Sequence, residues 1–283
     1  MKIKQFLAIK YFRTKIKLLS VLSTRKAAEE AFRLFSTPQK LPKAKNIKPS
    51  AFNHAEPLYV KFYGLRVKGY KWNKDKPARI LILHGFSSSA YKFSHYVAPL
   101  IEKGYEVIAF DAPAHGGSEG VTINALEYGK LIEIIIKAFG PFNGFIAHSF
   151  GGLALSLALE KVPHDEKMKV VFIAPATETT SAIDSAFKIL DIQNENVKHD
   201  FEKIIKEKSG HSSKWFSMKR AMQNIKASTL WIHDEDDDVT PLNDALKVKE
   251  LNLPNVEFHI TKTLGHRKIY RDKTVKNIVI DFL

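Results

Sequence analysis

A chain of 283 residues with 45% hydrophobic and 26% charged content is long enough for one large α/β domain with a sizeable core. It contains no cysteine, which excludes disulfides, thiol catalysis and thiolate metal sites. The net charge of +14 is uneven: residues 1–50 hold 13 Lys or Arg against Glu29 and Glu30, a net of +11, leaving +3 for the rest.

The basic segment opens with Phe6, Ile9, Phe12, Ile16, Leu19 and Val21 at near-helical spacing among lysines. Two readings stand for it: a helix that lays its apolar side on the protein body, or an amphipathic helix on an anionic membrane surface. Lys10, Arg13, Lys15 and Lys17 interrupt any apolar leader, so secretion is not expected and a cytoplasmic location, peripheral to the membrane at most, is. Nor does the segment contain a nucleic-acid module, and no nucleic-acid partner is expected. A second short helix is expected from Arg25 to Ser36, stopped by Thr37-Pro38, after which Pro38, Pro42 and Pro49 mark an extended connection.

From about residue 55 the pattern changes. Alternation through Leu58–Phe62 and Leu65–Trp72 predicts two antiparallel strands. Strands are then predicted near 78–84, 105–110, 144–148, 169–174, 228–233 and 256–261, with helices near 90–103, 123–139, 150–161, 242–251 and 273–282. Near-continuous apolar strands separated by amphipathic helices argue for a mostly parallel eight-stranded sheet covered on both faces. The rhythm breaks between Pro175 and Ala227, where some 50 residues stand in place of one helix. The organisation expected is a basic helical extension over 1–54, a core of 55–176 and 228–283, and a small helical cap over 177–227.

The chemistry-bearing residues fall at strand ends. Residues 145–152, Phe-Ile-Ala-His-Ser-Phe-Gly-Gly, form an apolar run that stops at Ser149 with Ala147 two before it and Gly151 two after. Small residues at those places are what a strained strand-to-helix turn carrying an exposed nucleophile requires. Upstream, Arg79-Ile-Leu-Ile-Leu-His-Gly-Phe86 ends a strand in His-Gly, so the amides of Phe86 and Phe150 are the expected oxyanion donors. Downstream, Leu230-Trp-Ile-His233 opens into Asp234-Glu-Asp-Asp-Asp238, one of whose carboxylates should orient a base. His266, on a loop past the strand ending near 261, is that base. His84 reads as a loop-holding residue, and His115, His233 and His259 as structural or exposed. The histidines lack ligand spacing, so no metal site is expected.

Ala-His-Ser-Phe-Gly, the His84-Gly85 strand end, Asp111-Ala-Pro-Ala-His-Gly-Gly-Ser118 and Gly265-His266, in that order, resemble the α/β-hydrolase family of serine esterases and lipases over roughly residues 55–283. The resemblance implies an α/β-hydrolase fold and a catalytic triad of Ser149, His266 and Asp237, four residues after His233, with Asp236 as the runner-up acid. Ala147, Ala114 and Asp234 stand where relatives usually carry glycine. His148, Phe187 and Trp215 are expected to line the substrate pocket, the last two from the cap. The expected activity is hydrolysis of small to medium acyl esters without metal or cofactor. A thioesterase, a membrane-surface lipid hydrolase and a non-catalytic binding protein on the same scaffold are the alternatives.

Overall fold

In a computed structural model describing residues 3–39 and 48–283, the chain divides into two units, Met1–Thr37 with Glu178–Ser217, and Pro38–Thr177 with Met218–Leu283. Pro42 and the side chain of Phe6 lie outside the described residues.

The larger unit is built on strands β1 (Glu56–Phe62), β2 (Leu65–Trp72), β3 (Arg79–Leu83), β4 (Glu106–Phe110), β5 (Gly144–His148), β6 (Lys169–Ile173), β7 (Ser228–Asp234) and β8 (Val256–Thr261). They form the one mostly parallel eight-stranded sheet that the sequence leads one to expect, in the order β1-β2-β4-β3-β5-β6-β7-β8. The β1–β2 and β2–β4 pairs are antiparallel and the other pairs parallel. β4 and β5 are buried along their whole length, the signature of strands covered on both sides.

Helices of the two units, in chain order, are α1 (Ile3–Leu22), α2 (Thr24–Phe35), α3 (Ser94–Glu102), α4 (Ala125–Phe139), α5 (Phe150–Leu159), α6 (Thr179–Leu190), α7 (Glu195–Ser209), α8 (Met218–Met222), α9 (Leu242–Lys249), α10 (Gly265–Lys268) and α11 (Lys273–Phe282). The chain steps from β3 outward to β4, then returns past β3 to β5. Because parallel crossovers are right-handed, this reversal puts α3 and α4 on opposite faces, where α3 meets α11 and α4 meets α5. The carboxyl ends of β3 and β5, between which the strand order reverses, are where such sheets place their ligands. A core of Ile80, Ile82, Val107, Ala109, Ile146, Val171 and Ile232 fixes the sheet against the α3 side.

The smaller unit joins the basic extension to the cap helices, two segments that the sequence treats separately. Ala27, Ala28 and Ala31 form a flat buried face on α2 that lets α7 approach closely. Around it, Phe201 meets the rings of Phe32, Phe35 and Phe187 at 5.7, 5.9 and 5.0 Å. Removing a fully buried ring of this kind costs about 3–5 kcal/mol. Polar contacts fix the register: Thr24 donates to Asp200 at 2.6 Å, Arg25 grips Glu207 through both terminal nitrogens at 2.8 and 2.6 Å, and Arg13 donates to the carbonyl of Ile189 at 2.9 Å. Residues 218–227, expected in the cap, belong to the larger unit. No described helix is long and apolar enough to cross a membrane.

Candidate active site

The elbow forms where β5 runs out. Ser149 has φ 54° and ψ −123°, a left-handed conformation unusual for a residue with a side chain. Its backbone is held on both sides: its N–H donates to the Ile173 carbonyl at 3.1 Å, and its carbonyl accepts from Gly152 and Ala176 at 2.9 and 3.0 Å. The turn demands glycine two residues on, because a Cβ on Gly151 would sit 2.6 Å from the carbonyl oxygen of His84. Gly85 faces the same constraint, since its Cβ would lie 2.8 Å from Cβ of Ser149.

Ser149, His266 and Asp237 converge, each buried at 7% exposure or close to it. His266 Nε2 lies 3.0 Å from the Ser149 hydroxyl and Nδ1 2.9 Å from Asp237 Oδ2. The carboxylate holds the imidazole proton on Nδ1, which leaves the Nε2 lone pair facing the serine O–H. Burial pushes the Asp237 carboxyl up, but the His266 hydrogen bond and the amides of Thr240 and Val239, at 2.8 and 2.9 Å, outweigh it and hold it below the usual aspartate value. Asp237, not Asp236, therefore faces the histidine; Asp236 is exposed and accepts from the Thr263 amide at 2.9 Å.

Two residues at this site escape the sequence reading. Thr240 places its hydroxyl 2.9 Å from Asp237 Oδ2 and 3.1 Å from His266 Nδ1, bracing both. Asp234, completely buried, accepts from the amides of Gly265, Leu264 and Asp236 and from the Thr261 hydroxyl, and so anchors the turn that carries His266. Its occurrence where relatives carry glycine was the available signal. His266 itself opens the one-turn helix α10 and does not lie in an open loop.

Phe86 and Phe150 meet edge to face with ring centroids 5.4 Å apart, beside Gly85 and Ser149. Among the described hydrogen bonds neither amide N–H has an acceptor. The loop that carries Phe86 is held by two histidines. His84 donates from Nδ1 to the Gly85 carbonyl at 2.8 Å and accepts the Ala112 amide at Nε2 at 2.9 Å. His115 donates to the Pro113 carbonyl at 2.9 Å and accepts the Ser87 amide at 2.9 Å. Both patterns need neutral rings. Burial supplies that, lowering the pKa of His84 to about 4 and that of His115 to about 3.

His148 lies beneath His266, its ring 4.8 Å from the His266 ring and 4.6 Å from that of Tyr270. Its Nε2 is 3.2 Å from the His266 carbonyl, burial lowers its pKa to about 3, and Nδ1 has no partner among the described residues. In this position it supports the backbone of His266. The two cap residues expected in the substrate pocket lie in the smaller unit: Phe187 is buried on Phe201, and Trp215 stacks on His211 at 3.9 Å. Among the described residues no cluster of three or more histidine or acidic side chains could hold a metal ion.

The chain belongs to the α/β-hydrolase family, whose pattern it matches over residues 80–249. It is 22% identical over 228 residues to a Mycoplasma pneumoniae protein named as a candidate esterase/lipase, covering 69% of this chain and 84% of that one. Among solved structures, the Pyrococcus furiosus esterase Pf2001 superposes with a TM-score of 0.62 at 20% identity, over 87% of this chain and 98% of that one. The thioesterase domain from the curacin biosynthetic pathway does so with a TM-score of 0.58 at 14% identity, over 80% of this chain and 98% of the other. These structural likenesses are likenesses of fold.

Proposed function

We propose that this protein is a serine hydrolase that cleaves carboxylic esters of small to medium acyl chains. The observation that carries the reading is the unbroken hydrogen-bonded line from Ser149 through His266 to Asp237, at 3.0 and 2.9 Å, at the end of a strained elbow. His266 takes the Ser149 proton as the oxygen attacks the ester carbonyl, and Asp237 stabilises the imidazolium that forms. The tetrahedral oxyanion is received by the amides of Phe86 and Phe150, each donor being worth about 3–4 kcal/mol in the transition state. Collapse expels the alcohol, which takes the proton from His266. Water, deprotonated by the same imidazole, then attacks the acyl-enzyme and releases the acid and free Ser149. Neither step calls for a metal or an organic cofactor.

A thioester presents the same carbonyl to the same nucleophile and is the nearest alternative substrate. Comparing kcat/KM for p-nitrophenyl esters of two to twelve carbons with matched acyl thioesters separates the two. The reading expects the oxygen ester to be preferred and the rate to peak at short or medium chains. Preference for thioesters at every length would replace it with the thioesterase, and inertness toward both would favour a binding protein on this scaffold.

A further inference from the structure

Helix α1 has apolar residues on two faces about 120° apart, and only one of them is used by the fold. The inner face carries Phe12, Ile16 and Leu19, of which Ile16 is buried and the other two half-buried, and the helix packs on α2 and α6. The outer face carries Leu7, Tyr11, Leu18 and Leu22, spaced four, seven and four residues apart, so that they form one stripe along the helix, with Val21 beside it. All five are exposed, Val21 and Leu22 to 83% and 82%. Single exposed apolar side chains are ordinary, but a continuous row on one helix marks a surface that something covers.

The charges beside the stripe indicate what that is. α1 contains five basic residues and no acidic one. Two of these are engaged inside the smaller unit, Lys15 with Glu30 at 2.8 Å and Arg13 with the Ile189 carbonyl. Lys10 and Lys17, one heptad apart and exposed, border the stripe and have no acidic partner among the described residues. A second copy of this chain would bring its own Lys10 and Lys17 against these, with no acidic residue on either helix to offset them. An anionic lipid surface offers both hydrocarbon for the leucines and negative charge for the lysines.

We propose that the outer face of α1 docks on an anionic membrane surface, the helix lying in the plane of the headgroups with Leu7, Tyr11, Leu18, Val21 and Leu22 toward the acyl chains. Because Lys15 ties α1 to α2 through Glu30, and Arg25 and Thr24 tie α2 to α7, attachment holds the whole smaller unit to the lipid. This goes beyond the hydrolase reading and does not depend on it, since the test measures binding and not turnover.

The experiment is cosedimentation of the full-length chain with phosphatidylcholine vesicles, with and without one-quarter phosphatidylglycerol, for wild type, Leu18→Ser/Leu22→Ser and Lys10→Gln/Lys17→Gln. Wild type is expected to partition into anionic vesicles at least about tenfold better than into neutral ones, and high salt to weaken it. Each double variant should lower the anionic partition by about tenfold or more, with circular dichroism and melting unchanged because these side chains are exposed. Equal partition into both vesicle types, or undiminished binding by the lysine variant, overturns the proposal. So does a wild type that ignores vesicles but self-associates, with Leu18→Ser/Leu22→Ser restoring the monomer, because the face would then bind a second copy.

Discussion

Replacing Asp234 by asparagine isolates what positions His266, as distinct from what charges it. The carboxylate meets only donors: Oδ1 accepts from Asp236 and Gly265 at 3.0 and 2.8 Å, Oδ2 from Leu264 and the Thr261 hydroxyl at 3.1 and 2.6 Å. An asparagine keeps one oxygen. With its amide group in the Oδ2 position, the Thr261 hydroxyl can turn and accept, but the Leu264 N–H meets another donor and is left buried without a partner. Losing one charge-assisted bond, and the charge from the others, amounts to about 3 kcal/mol. Leu264 and Gly265 immediately precede His266, and misplacing a reacting group by about 1 Å costs roughly 100-fold in rate. The expected result is an unfolding free energy from urea titration lowered by about 3 kcal/mol at unchanged slope, and kcat/KM for a p-nitrophenyl ester reduced about 30- to 100-fold under conditions where the variant is folded. Asp236→Asn, which alters one exposed bond, should stay within about 0.5 kcal/mol. The Asp234 carboxyl sits below its ordinary value because its donors outweigh the opposing effect of burial. Its stabilisation is therefore complete above the usual aspartate value of about 3.9 and fades as pH falls through the lower folded-state value, so the gap between wild type and variant closes below about pH 4. An Asp234→Asn protein within about 0.5 kcal/mol and twofold of wild type would refute this reasoning.

Asp237→Asn should leave the chain folded but lower kcat by about 10³–10⁴-fold, since the amide favours the wrong imidazole tautomer; a loss below tenfold would show that Asp237 does not orient His266. Stability should fall on acidification below pH 6.5. His84, His115 and His148 have folded-state pKa values of about 4, 3 and 3, so the unfolded chain takes up their protons first. Each then contributes up to about 1.4 kcal/mol per pH unit, and urea unfolding at pH 7, 6 and 5 should show a steep decline, a flat profile being contradictory.

The sheet, the elbow and the order of the motifs were legible because they rest on local requirements. A strained turn needs small neighbours, as Gly151 against the His84 carbonyl illustrates, and strands buried on both faces read as apolar runs. What stayed hidden depends on contacts between distant segments. The alanine face of α2 gives helical periodicity but does not say which helix it meets, and its partner α7 lies more than 170 residues away, as the Thr24–Asp200 bond records. In the run Asp234–Asp238 the residues alone left the choice of carboxylate open and the family resemblance pointed to position 237, whereas only the fold reveals that Asp234 is tied to the Gly265 turn and Asp236 to Thr263. Thr240 carried no signal, because a threonine before proline ordinarily reads as part of a turn.

Ser149 as nucleophile is tested most directly by labelling with a fluorophosphonate followed by peptide mass analysis, run beside ester turnover, for wild type and Ser149→Ala. One adduct is expected, on Ser149, with labelling and turnover both lost in the alanine variant. Label on another residue, or turnover that survives the substitution, would contradict it.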